Sequence, residues 1–180
     1  AKASPDKVTI ASGGIGSATH LTAELFQARA GIKLVHVPIR VSGDMLNALI
    51  GGHIDVSASS VHWAPLVDAG KIRVLGVFGP NRLKRWPDLP DVPTLAEAGF
   101  KDFPGAPWGG LMVPAGTPAP IISRLNAATN EILSAPETKA SLARLNVLLR
   151  PSSQQEFAAF VARQTPVWTE MVRASGATAE

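Results

Sequence analysis

Ser12-Gly13-Gly14-Ile15-Gly16-Ser17 stands between a short apolar run and a stretch of helical spacing. Glycines let a backbone turn sharply and aim successive N–H groups at one point. A helix starting directly afterwards adds the positive end of its dipole, so the loop has the makings of an anion site. Ser12 and Ser17 add hydroxyls. A phosphate-gripping loop needs Lys-Ser or Lys-Thr after its last glycine, and neither follows here. Gly14-Ile15-Gly16 comes near the dinucleotide fingerprint, but Pro38 stands where an acid should close the next strand. A carboxylate-binding turn remains, beside the plain alternative of a tight turn with no ligand.

His20 follows Ser17 by three residues, so both share one face near the helix start. It is either a polar wall of a ligand cleft or a partly buried histidine satisfied by backbone. His20, His36, His53 and His62 show no zinc-like spacing, and no metal or cofactor is expected. A Ser17–His20–Asp triad is conceivable, but Gly16-Ser17-Ala18 breaks the Gly-x-Ser-x-Gly elbow, which argues against an enzyme. Ser57-Ala58-Ser59-Ser60 ends the third apolar run. In open α/β sheets ligands sit beyond the carboxyl ends of strands, so Ser12, Pro38 and Ser59 can converge on one cleft. Among the tryptophans, Trp108 can line a cleft, Trp63 and Trp168 suit a core, and Trp86 suits a loop anchor.

Positioning these residues requires alternating elements. Strands are expected at Val8–Ala11, Leu34–Val37, Ile54–Ala58 and Ile72–Phe78. Helices are expected at 18–30, closed by Gly31, at 44–50, closed by Gly51-Gly52, and at 61–69. This β-turn-α alternation implies a mainly parallel α/β sheet. From Gly79 to Pro107 prolines make a loop-rich passage around a short helix, Thr94–Ala98. A fifth strand is expected at Gly109–Val113. Then come a helix capped by Thr117 with inner residues Ile121, Ile122, Leu125 and Ile132, a helix at 137–145, and a last helix opened by the capping box Ser153/Glu156 and kinked at Pro166. Residues 1–107 read as an α/β ligand lobe, and 108–180 as a crossover strand with a helical tail. The tail helices need a sheet to cover, and the chain hardly supplies one.

The 180 residues are 46% hydrophobic and 17% charged, which supports a folded core. The net charge of +3 is scattered, with one short cluster at Arg82-Leu83-Lys84-Arg85, so no nucleic-acid stripe is expected. The absence of cysteine excludes disulfides and thiolate chemistry. No apolar run approaches the ~20 residues needed to span a bilayer. No signal peptide opens the chain at Ala1, so the expectation is that one was removed or that the chain starts partway through a gene product.

Several strings taken together resemble the Bug/TctC family, the substrate-binding proteins of tripartite tricarboxylate transporters. They are Ser12 through Leu21, His36-Val37-Pro38, Gly51-Gly52-His53-Ile54-Asp55, Ala69-Gly70-Lys71-Ile72-Arg73, Pro90-Asp91-Val92-Pro93-Thr94, and Trp108-Gly109-Gly110 through Pro114-Ala115-Gly116-Thr117-Pro118. The resemblance implies a type II periplasmic-binding (Venus-flytrap) fold, here incomplete, with most of lobe two and the C-terminal helices of lobe one. It implies a periplasmic protein that takes up a small organic carboxylate and delivers it to membrane components of the transporter. On the family pattern Ser12, Gly13, Gly16, Ser17 and Ala18 match a ligand-gripping loop. Gly14 and His20 complete the expected site with Ser59 and Ser60, which match a position where many relatives carry Asp-Asn. The resemblance lacks the family's N-terminal region, and Ile39-Arg40-Val41-Ser42 replaces the usual aromatic-Lys-Gly-Gly run. Rival readings are a sensing module, a truncated fragment that binds nothing, and a Ser/His hydrolase. With only one gripping loop and uncovered tail helices, weak binding and self-association are expected.

Overall fold

Thr9–Ser12 forms the central strand, β1, of a three-stranded parallel sheet ordered β2-β1-β3. The structure is a computed structural model and describes residues 1–59, 64–78, 92–100, 103, 107–144 and 147–177. β2 (Val35–Pro38) places His36 opposite Ile10 and Pro38 opposite Ser12. β3 (Val56–Ser57) places Ser57 opposite Ala11. Pro38 suits the end of an edge strand because it donates no ladder hydrogen bond.

Side chains of β1 alternate between the two faces, and a different helix covers each. Ile10 packs with Ala23 of helix α1 (Ala18–Ala30) and with Ala58, Leu34 and Val56. Ala11, wholly buried, packs with Met45 of helix α2 (Ser42–Ile50) and with Ile54, Val37 and Leu49. A sheet covered on both faces needs apolar residues at successive positions, which is why β1 does not alternate polar with apolar. Burial of Ile10, Leu21, Met45 and Ile54 contributes about 1.5–3 kcal/mol each. At the other end of β1, Asp55 Oδ2 accepts from the Thr9 N–H and hydroxyl, both at 2.8 Å, and its own N–H donates to Thr9 Oγ1 at 2.8 Å. These bonds fix β3 beside β1 and hold the Asp55 carboxyl below its ordinary pKa.

Helix α1 follows the sequence expectation. Ser17 caps it by accepting the His20 N–H, and Gly31 closes it in the left-handed conformation. Of the helix expected at 61–69 the described residues show α3 (Ala64–Asp68); residues 61–63 lie outside the described residues. The expected strand at 72–78 is corrected. Among the described residues only an isolated bridge forms there, Val77 with Thr94. A strand exists by virtue of its partner, and residues 72–76 find none. The expected helix at Thr94–Ala98 is a single turn, tied by a capping box between Thr94 and Glu97 and closed at Gly99. Phe26, Phe78, Phe100 and Phe103 pack as an aromatic cluster with ring centroids 5.3–6.4 Å apart.

The chain divides into two compact units, Ala1–Pro107 with Val167–Glu180, and Trp108–Pro166. In the second, helix α4 (Ala119–Ser134) is followed by α5 (Pro136–Arg144) and by the first part of α6, which spans Gln154–Ser175. Asn130 Nδ2 donates to the Ser152 carbonyl at 3.0 Å, and Asn130 Oδ1 accepts the Ser152 N–H at 3.0 Å. That pair holds the approach to α6 against α4. Ser153 and Glu156 form the expected capping box. The helix continues through Pro166 without a break.

Two further expectations are corrected in this unit. Thr117 does not cap α4, because its hydroxyl donates to the Pro114 carbonyl at 2.8 Å and Pro118 takes the cap position. Residues 109–113 have no strand partner among the described residues, and Leu111, Met112 and Val113 are exposed. On α4 the expected inner residues Ile121, Leu125 and Ile132 are exposed as well, at 50%, 48% and 60%. Among the described residues, no helix is long and apolar enough to cross a membrane.

Candidate functional site

Order β2-β1-β3 with helices on opposite faces is a doubly wound arrangement. The chain leaves β1 toward β2 on one side and reaches β3 on the other. The crevice at such a switch point opens at the carboxyl ends of the strands. The loop after β1 and the segment after β3 therefore leave the same edge: Ser57 lies beside Ala11, and the Ala58 N–H donates to the Ala11 carbonyl at 2.9 Å. Ser59 follows directly and is half-buried; Ser60 lies outside the described residues.

The loop is self-braced, which changes the expected roles. The Gly13 N–H donates to Thr19 Oγ1 at 3.0 Å, the Gly16 N–H to His20 Nδ1 at 3.2 Å, and the Ser17 N–H to the Gly14 carbonyl at 3.1 Å. Gly13 and Gly16 shape the turn and do not offer donors. Gly14, with φ 111°, occupies backbone space that side chains rarely enter, and Gly16 has φ 74°. Ser12 is fully buried, and its hydroxyl lies 2.7 Å from His36 Nε2. A Ser–His pair at that distance has nucleophile–base geometry, but a hydroxyl without exposure cannot reach a substrate. Ser17 spends its hydroxyl on the helix cap.

What the loop presents outward is the start of α1. The N–H groups of Ala18 and Thr19 have no hydrogen-bond partner among the described residues, as the first turn of a helix dictates, and neither has the N–H of Ile15 in the loop before it. Arg40 adds a cation. Its side chain lies over Gly14, so that a Cβ built on Gly14 would stand 3.3 Å from Arg40 Cγ and 3.6 Å from Nε. Orphan N–H groups, a helix dipole and a guanidinium together favour an anion, and charge-assisted hydrogen bonds contribute about 1.5–3 kcal/mol each.

Arg40 and His36 were absent from the sequence-based site. Arg40 approaches the loop from a segment more than twenty residues away, and no local spacing announces it. Beneath the loop the rings of His20 and His36 lie 4.2 Å apart at 34°. Desolvation by burial, with the neighbouring His20 second, lowers the pKa of His36 from 6.5. A folded-state value below the unfolded one favours the neutral ring. Its stabilisation is complete above pH 6.5 and is lost as pH falls from there through the lowered folded value. Thermal unfolding of the chain should therefore drop in temperature on going below pH 6.5, and His36→Phe should flatten that part of the profile. An identical slope in the variant would assign the loss to other groups.

A family model described as the tripartite tricarboxylate transporter family receptor, TctC, matches residues 1–177. A UPF0065 protein from the tcbD-tcbE intergenic region of Pseudomonas sp. (strain P51) is 34% identical over 174 residues, 96% of this chain and 51% of that protein. A Rhodopseudomonas palustris protein solved with bound malate, MatC, superimposes with a TM-score of 0.80 at 30% identity, over 93% of this chain and 57% of its own. An R. palustris protein solved with adipate gives 0.85 at 28% identity, covering 99% of this chain and 59% of its own. The chain thus spans about half the length of the curated relatives it matches, and it has the α/β fold of periplasmic binding proteins. On these grounds the chain belongs to the TctC family of tripartite tricarboxylate transporter receptors.

Proposed function

We propose that the protein is an extracytoplasmic receptor that captures a small organic carboxylate without converting it and passes it to the membrane components of a tripartite tricarboxylate transporter. The observation that carries this reading is the loop at the switch point of the sheet, where the Arg40 side chain lies over Gly14 and the N–H groups of Ile15, Ala18 and Thr19 have no partner among the described residues. The ligand carboxylate meets the N–H groups of Ile15, Ala18 and Thr19. Gly13, Gly14 and Gly16 give the turn its shape, Ser12, Ser17 and His20 brace it, and Ser59 lines the neighbouring strand end. The adipate and malate held by the two R. palustris proteins support a dicarboxylate. A periplasmic location follows from the same family. Residues 1–107 serve as the ligand lobe and 108–180 as the crossover and tail of the other.

The ligand needs no ammonium group, since Ser59 and Ser60 cannot neutralise one. Calorimetry with adipate, its neutral diamide and an amino-dicarboxylate tests the reading. Adipate should bind in about the millimolar range, the affinity of a few hydrogen bonds made by one loop. Equal binding of the diamide, or a clear preference for the amino acid, would overturn it.

Exposed Ile121, Leu125, Ile132, Leu111 and Leu148 favour a second property, self-association through the helical tail. Light scattering should give a mass above the 18.8 kDa of one chain; 18.8 kDa at every concentration would exclude it.

A further inference from the structure

Residues 109–113 have strand composition and no strand to join. None of their backbone N–H or C=O groups has a hydrogen-bond partner among the described residues. Trp108 and Gly110, two residues apart, both meet Phe157: the indole stands edge-on to the ring at 6.1 Å, and a Cβ on Gly110 would run into it. A period of two is the spacing of an extended chain, so Met112 shares that face while Gly109, Leu111 and Val113 take the other. Leu111 is 78% exposed and Met112 69%. Pro107 and Pro114 bracket the free edge at 108–113, the length of an ordinary strand. We propose that this edge adds itself to the same edge of a second copy of the chain, antiparallel, with Leu111 facing its own counterpart across a two-fold axis. The inference rests on the self-association reading above and supplies its mode.

Symmetry and side-chain size select the register. In an antiparallel pair, directly opposed residues point to the same side of the sheet, so a two-fold axis must set one residue opposite its own copy. With Leu111 on the axis, Gly110 opposes Met112 and Gly109 opposes Val113, so that each glycine receives a large side chain. An axis at Gly110 sets glycine against glycine, and one at Met112 sets Gly110 against Pro114, which has no N–H to give. Nothing lies within 4 Å of a Cβ built on Gly109, which leaves room for Val113 of the second copy. Met112 of the second copy comes beside Gly110 on the Phe157 side, where a thioether and an aromatic ring attract. No charged residue stands between Asp102 and Arg124, so the pair meets no like-charge repulsion, and the edge carries none of the lysines that ordinarily guard one. Leu111, Met112 and Val113, with Ile121, Leu125, Ile132 and Leu148, offer on the order of 800 Å² of exposed surface, what one partner of a stable complex buries.

Charge placed on the axis tests the pairing in the full 180-residue chain. Leu111→Lys and Leu111→Glu each set like charges face to face, and so exposed a position leaves the single chain undisturbed. By light scattering, at a concentration where the native chain is paired, each variant alone should show the 18.8 kDa of one chain, and an equimolar mixture should regain twice that mass. The chain has no cysteine, so single cysteines give a second readout. Leu111→Cys should close an intermolecular disulfide on mild oxidation, since opposed Cα atoms stand about 4.5–5.5 Å apart, within disulfide reach. Val113→Cys should not, because the two copies of residue 113 lie about 13 Å apart along the strands. Pairing that survives in both charged variants, or a Val113→Cys disulfide that forms as fast as the one at Leu111, would overturn this mode while leaving self-association in place. A native chain of 18.8 kDa at every concentration would overturn the two together.

Discussion

Gly110→Ala should destabilise the Trp108–Pro166 unit by about 1–3 kcal/mol, the usual cost of forcing an extra methyl against a packed ring. A Cβ on Gly110 would run into Phe157 Cζ and lie 2.7 Å from Cε2, well inside contact distance. The ring cannot swing away freely, because Trp108 stands edge-on to it at 6.1 Å and also to Phe160 at 5.0 Å, and Phe160 lies 6.4 Å from Phe157. Denaturant unfolding measures the loss. Phe157→Leu removes the ring edge, so in the double variant the two costs should sum to less than their separate values. Additive costs would mean that Gly110 and Phe157 do not meet.

Gly14→Val should weaken adipate binding by at least about tenfold, since 1.4 kcal/mol is a factor of ten and strained backbone costs about 1–3 kcal/mol. At φ 111° a β-branched side chain must either strain or rebuild the turn, and its Cβ also crowds the Arg40 stem at 3.3 Å. Both consequences move the donors at the start of α1. The open space around a Cβ at Gly16 makes Gly16→Ala milder, limited to about 1–2 kcal/mol of left-handed strain. Calorimetry on the two variants should order them in this way. Equal affinities for Gly14→Val and the native chain would separate the loop from binding.

Much of the first unit could be read from local chemistry. Ser17 and Gly31 bracket α1 because a hydroxyl and a left-handed glycine are what the two ends of a helix need. Ser153 and Glu156 announce α6 in the same way. Elements that depend on distant partners were less legible. Residues 72–76 and 109–113 have strand composition, but pairing decides a strand, and the described residues offer them none. Thr117 looked like a cap until Pro118 and Pro120 moved the helix start and turned its hydroxyl to Pro114.

The loop itself was legible as a turn at a strand end, but the use of its hydrogen bonds was not. Thr19 Oγ1 and His20 Nδ1 take the N–H groups that the glycines seemed to offer a ligand. His36, 24 residues from Ser12, seals the serine hydroxyl away from solvent. Such contacts depend on how β2 registers with β1 and leave no periodic trace in the chain. Arg40, read only as a departure from the family's usual run, turns out to lie over the loop.

The central claim is that a carboxylate lodges at the start of α1. Its most direct test is an amide NMR titration of the 180-residue chain with adipate up to about millimolar excess, where one-loop binding is visible. The expected result is a saturable shift confined to Ile15, Ala18, Thr19 and the Ser59 strand end, absent with the neutral diamide. Shifts located elsewhere, or none at any concentration, would contradict the account.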